Sequence, residues 1–469
     1  MDKVIILGAA GRDFHDFMVY WAVRPNTQVV CFTETQIPGI ENRHFPKEMC
    51  RNDVNGNRYP DGIDIYPESQ LEELIQRFEA NICTLAYSDL SYHTVQSLAS
   101  RVNTAGCQFV QLPPVATQIK STKPLVSIVA SRTGVGKSQT TRWVANYYKK
   151  KGLKVAAIRH PMPYDEDLNF QRCERFETME DMDKYRCTIE EREEYYRHIE
   201  DGTLLFAGVD YEMILREAEK DADLILWDGG NNDFSFYKAD LTITLVDSLR
   251  PTDELHYFPG ETNVRMADAI LITKTNELKS VLEADHHAQQ LRDKGILKHD
   301  MVPILYGKSK IVPQAKGMTT EEAASFVNGK RVLVVDDGPT LTHGGLPSGA
   351  GYALCESLGG IPVDPRPFAK GSLQQTFSKF THLKNCLPAM GYGEEQVQDL
   401  QASIDAVECD VVMIGTPIDI SQVLDIGDKP YVVARYDLEV VPQHQTKFLN
   451  VLDTAIDPEE KKEKKINPK

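Results

Sequence analysis

Short apolar runs recur along the chain, most of them followed by stretches whose apolar positions repeat every three or four residues. Buried strands alternating with amphipathic helices predict a parallel sheet covered on both faces, and so an α/β protein. The first segment, 1–118, offers KVIILGAAG, TQVVCFTET, ICTLAYSDLS and CQFVQL as strands, with SQLEELIQRFEA and HTVQSLASRVNTAG as helices. It reads as a Rossmann-like domain. A polar stretch, PPVATQIKSTKP, leads to the second segment, 122–328, whose strands are LVSIVAS, KVAAIRH, ADLILWDGG, DLTITLVD and DAILITKTN. Within it TIEEREEYYRHIEDG has the charge of a solvated helical face. The third segment, 329–456, restarts with KRVLVVDDGPTLTHGG, adds CDVVMIGTPIDI and closes with PYVVARYDL as a C-terminal α/β domain. The remainder, 457–469, is a charged tail with a disordered composition.

Composition narrows the compartment and the partners. At 469 residues the chain is long enough for about three domains, and no apolar run approaches the ~18 residues of a membrane span. The opening MDKVIILGAAG lacks the length and cleavage site of a signal peptide. Nine scattered cysteines without a C-x-x-C pair read as free thiols in a reducing compartment, so a soluble cytoplasmic protein is expected. A net charge of −17 argues against nucleic-acid and membrane-surface binding. An anionic ligand would have to be held by a focused cluster of donors.

That cluster is expected in ASRTGVGKS, residues 130–138, which lies between a strand and a helix. A phosphate-binding loop directs successive backbone N–H groups into a concavity at a helix N-terminus, while a lysine reaches the outer phosphates and a hydroxyl holds magnesium. Thr133, Gly134, Val135, Gly136, Lys137, Ser138 and Gln139 supply the loop. Ser131 departs from the regular Walker A spelling. In the deviant spelling, Arg132 takes the basic position near the loop's start, from which it could stabilise transition-state charge in cis or in a neighbouring subunit. Asp228, ending LILWD, is the expected Walker B carboxylate, giving Ser138 and Asp228 as magnesium ligands and Lys137, Arg132 and Asp228 as catalytic residues. Asp233 is a secondary candidate.

The base is read from LITKTN. Lys274 occupies a lysine position common to guanine-specific sites, but Asn276 replaces the aspartate that would accept from two guanine donors, so ATP is the expected nucleotide. Basic side chains in other loops after strands are candidates for a small anionic, phosphorylated substrate. They are Arg159 and His160, His343 within THGG, and Arg366 and Lys370 within DPRPFAKGS; Gly391 to Gly393 add exposed N–H groups. In the first segment Gly8 and Gly11 give only G-x-x-G, followed by Arg12, Asp13 and His15. That turn serves either strand-to-helix geometry or anion binding.

The strings VIILGAAGRDFHDF, RTGVGKSQTTR, RHPMPY, TIEEREEY, ILWDGGNND, PGETNVRMAD, DDGPTLTHGG, GAGY, DPRPFAKGS, PAMGYGEEQ and GTPID resemble the motifs of the cyclic 2,3-diphosphoglycerate synthetase family and its bacterial relatives. The resemblance runs to about residue 436. It implies ATP-dependent closure of an intramolecular phosphoanhydride, giving cyclic 2,3-diphosphoglycerate, ADP and phosphate, or the same chemistry on a related small anion. A homo-oligomer, the dimer foremost, is expected. The alternative class is a nucleotide-switched GTPase or ATPase acting as a binding or delivery protein.

Overall fold

A computed structural model describes residues 1–35, 43–50, 53–160, 167–315, 317–342, 347–389, 394–416 and 429–457. His343, Gly344, Gly345, Gly391 to Gly393 and the tail from 458 lie outside the described residues. The chain divides into two compact units, Met1–Lys308 with Leu438–Lys469, and Ser309–Asp437.

Among the described residues the first unit holds strands of two large sheets and two short two-stranded pairs. The N-terminal sheet runs in the order His44–Phe45, Ile63–Pro67, Thr27–Glu34, Asp2–Leu7, Ile82–Leu85, Gln108–Gln111, all parallel except the first strand. Its central strand, DKVIIL, is fully apolar from Val4 to Leu7 and is buried on both faces, as parallel sheets require. In the second sheet the strand Leu125–Ala130 lies between Leu224–Asp228 and Leu241–Asp247. Beyond Leu224–Asp228 come Val155–Arg159, Leu204–Ala207 and an antiparallel edge, Glu174–Phe176. Beyond Leu241–Asp247 come Ala269–Thr273 and Ile304–Gln314. This α/β architecture agrees with the fold class read from the sequence.

In the second unit Arg331–Asp337 pairs in parallel with Val411–Gly415 on one side and with Ile361–Pro362 and Leu387–Ala389 on the other. The unit's boundary differs from the break expected near residue 329. The strands Ile304–Gln314 and Tyr431–Val440 each contain a unit boundary, so no polar linker marks it. The helix Pro442–Asp453 packs in the first unit, because Phe448 stacks on Trp143 at 5.2 Å and the Tyr148 hydroxyl donates to Leu452 O at 2.7 Å.

One expectation from charge alone is overturned. The helix Ile189–Glu200 is not a solvated face: Glu191, Tyr195, His198 and Ile199 are all buried. Its buried positions repeat at helical spacing but are largely polar, which hides the inward stripe from a hydrophobicity reading. Among the described residues no helix is long and apolar enough to cross a membrane.

Candidate functional site

Ser131 to Gly136 link the strand Leu125–Ala130 to the helix Lys137–Lys150. Gly134 has φ +77° and Gly136 φ +104°, left-handed values at which a side chain would strain the loop. At Gly136 a Cβ would also stand 2.5 Å from Gln139 Nε2. The neighbouring strands and loops pin the loop backbone. Ser131 N donates to Leu245 O at 2.9 Å, Thr273 Oγ1 to Val135 O at 2.8 Å, and Arg250 Nη2 to Thr133 O at 2.9 Å.

Two buried amides close the loop's entrance, and the motif reading missed both. Asn232 Nδ2 donates to Ser131 O at 3.1 Å, while Asn263 Nδ2 donates to Ala130 O at 3.0 Å and Asn232 O at 2.8 Å. They come from NND, where Asp233 alone is a candidate by sequence, and from ETNVRM, which enters only through the family likeness. Their signal is polar residues in apolar surroundings, which acquires meaning only once the fold brings three distant segments together.

Lys137 is buried and directs its ammonium to Asn231 O. Burial and the nearby Arg159 charge depress its pKa to about 8, against the pull of Asp228. Arg159 and Asp228 are register partners on adjacent parallel strands. Arg159 Nη1 lies 3.1 Å from Asp228 Oδ2 and 3.4 Å from Ser138 Oγ. Asp228 also accepts from His198 Nε2 at 3.1 Å and from Thr141 Oγ1 at 3.1 Å. Burial pushes the Asp228 carboxyl up, but Arg159, His198 and Lys137 outweigh it and hold it well below the usual range. The fold thus brings buried Lys137, Arg159 and Asp228 together with half-buried Ser138 in one cluster. Among the described residues no group of three or more His, Cys, Asp and Glu side chains is arranged to hold a metal.

The other expected residues are placed as follows. Arg132 is tied to Asp89 at 3.1 Å and Asp253 at 2.8 Å, with its guanidinium over the Tyr257 ring. Thr133 Oγ1 donates to Asp89 Oδ2 at 2.8 Å. His160 lies where the N-terminal turn meets the loop after Asp228: a Cβ at Gly11 would approach its Nε2 to 2.4 Å, and one at Gly230 its Cγ to 2.8 Å. At that junction Arg12 Nη1 pairs with Asp233 Oδ1 at 2.7 Å, both groups buried. Asp13 is also buried, and desolvation raises its pKa to about 7. Lys274 pairs with Asp247 at 2.9 Å, and Asn276 Nδ2 donates to Glu277 at 2.7 Å. Arg366 and Lys370 belong to the second unit, where Arg366 is exposed and paired with Asp364 at 2.7 Å.

No protein-family model matches the chain. It is 48% identical over 454 residues, covering 95% of both chains, to the arginine synthetase ArcE of Thermococcus kodakarensis. Among solved structures, LpxK of Aquifex aeolicus with ATP aligns over 82% of this chain and 99% of its own at 11% identity, with a TM-score of 0.43. The hydrogenase maturation factor HypB of Archaeoglobus fulgidus aligns over 39% of this chain and 80% of its own at 16% identity, with a TM-score of 0.25. Those two likenesses are too slight to carry an argument, whereas the identity to ArcE extends over nearly all of both chains. The chain belongs to the arginine synthetase family, and it is an enzyme, an ATP-dependent synthetase.

Proposed function

We propose that this enzyme forms arginine, using ATP to activate a ureido oxygen for replacement by nitrogen. The observation that carries the reading is the 48% identity to an arginine synthetase across 95% of each chain. Arginine with one guanidinium nitrogen replaced by oxygen is citrulline, and oxygen is a poor leaving group. Transfer of the γ-phosphoryl of ATP to that oxygen releases ADP. Ammonia then attacks the same carbon and displaces phosphate, and loss of its extra proton leaves the guanidinium.

Lys137 and the loop N–H groups would hold the β- and γ-phosphates, and Arg159 would face the transferring group. Arg132, fixed by Asp89 and Asp253, would guard the loop's outer side. Ser138 offers a hydroxyl of the right chemistry for magnesium, with Asp228 behind it; when bound, the ion supplies neutralisation of phosphate charge. Substrate charge supports the arginine reading over the phosphoanhydride one. Among the described residues the arginines around the loop are already paired, Arg12 with Asp233, Arg132 with Asp89 and Asp253, and Arg159 with Glu194 and Asp228. A bisphosphate needs spare cations there, but a neutral ureido group does not.

The test measures ADP release with citrulline and ammonium, and separately with 2,3-diphosphoglycerate, with products identified by mass. Stimulation by citrulline and appearance of arginine are expected. Stimulation by 2,3-diphosphoglycerate alone, with a cyclic product, would replace this reading with the phosphoanhydride one.

A further inference from the structure

We propose that Glu194 and His198, on the helix Ile189–Glu200, are positioning residues of the phosphate site, holding Arg159 and Asp228 so that one corner of the guanidinium faces Ser138. The two residues are one helical turn apart and so share a face. Glu194 takes the Nε and Nη2 edge of Arg159 in a two-point fork, at 2.9 and 2.8 Å. A bidentate carboxylate fixes the plane of a guanidinium as well as its place. The corner left over is Nη1, which lies 3.1 Å from Asp228 Oδ2, 3.4 Å from Ser138 Oγ and 3.5 Å from Gly229 O. His198 Nε2 donates to the same Asp228 Oδ2 at 3.1 Å, fixing the carboxylate that Nη1 faces.

Burial gives this arrangement its force. His198 and Asp228 are fully buried and Arg159 nearly so, while Glu194 is partly exposed, so the bonds to Asp228 are the least diluted by water and the Glu194 fork is partly shielded. Without Glu194, Arg159 keeps its charge but loses the fork that orients it, and a long side chain with several rotatable bonds would spread over many rotamers. The expected consequence is poorer stabilisation of the transferring phosphoryl group, with little effect on holding the rest of the nucleotide.

The proposal concerns ATP handling and does not rest on the identity of the acceptor. It is tested on the full chain without acceptor, through basal ATP turnover, ADP affinity by calorimetry and thermal melting. For Glu194→Ala and His198→Leu, turnover is expected to fall at least tenfold while ADP affinity stays within twofold. Glu194→Gln and His198→Gln keep an acceptor and a donor, respectively, and should recover part of the loss. Arg159→Lys combined with Glu194→Ala should be no worse than Arg159→Lys alone, because both remove the same fork. Unchanged turnover in the Ala and Leu variants would overturn the proposal. So would losses that follow the melting temperature and ADP affinity with no recovery in the Gln variants, or losses that add in the double variant.

Discussion

Gly260→Ala tests whether the loop's position depends on close backbone packing. Gly260 begins the helix Gly260–Met266, and a Cβ there would lie 2.5 Å from Ser131 O and 3.3 Å from Ser131 C. Carbon against a carbonyl oxygen settles at about 3.3–3.6 Å, so the contact must open by roughly 0.8 Å or more. Ser131 has little room to yield, being held by Leu245 O through its N–H and by Asn232 through its carbonyl. Moving the helix instead would pull Asn263 from Ala130 O. Overpacking of this kind costs about 1–3 kcal/mol. A loop displaced by about 1 Å costs on the order of 10²-fold in rate. Urea unfolding should show the stability loss, and basal ATP turnover the rate loss. A variant with the parental urea midpoint and turnover within twofold would refute the claim that Gly260 sets the loop.

Three further outcomes are expected. Lys137→Met should lower ATP turnover about 10²–10³-fold, the usual loss when one transition-state contact is removed, measured by ADP release. Because the free Lys137 ammonium titrates near pH 8, ATP affinity should be full below that pH and weaken as pH rises above it; calorimetry from pH 7 to 9.5 should show the decline, and Lys137→Met should abolish it. Phe448→Ala should cost about 3–5 kcal/mol of unfolding free energy, because the ring is fully buried in the core behind the nucleotide loop.

The parallel strands were legible because they are short, continuous apolar runs such as LVSIVA and LILWD, whose neighbours in the sheet do not change how they read. The phosphate loop was legible for a different reason: its chemistry is local, carried within the few residues from Thr133 to Ser138. Its supports were not. Asn232, Asn263, Glu194 and His198 reach the loop and its strands across gaps in sequence that no spacing rule covers. His198 and Glu194 were further obscured by a helix whose charge resembled a solvent-facing surface. The unit boundary was hidden because Ile304–Gln314 continues as one strand through it, where a linker would have shown in the composition.

The excursion of the chain through Ser309–Asp437 also governs the order in which the enzyme can be built. The core behind the nucleotide loop includes Leu438, Val440, Phe448 and Leu452, all encoded after that excursion. During synthesis the second unit, one continuous stretch, is complete before its host can finish its own core. A chain halted near residue 430 would already carry the whole phosphate loop, Asp228 and Arg159, yet lack the helix that backs Trp143 and Tyr148. The core behind the loop therefore closes late, with the residues that follow the second unit rather than with the loop itself.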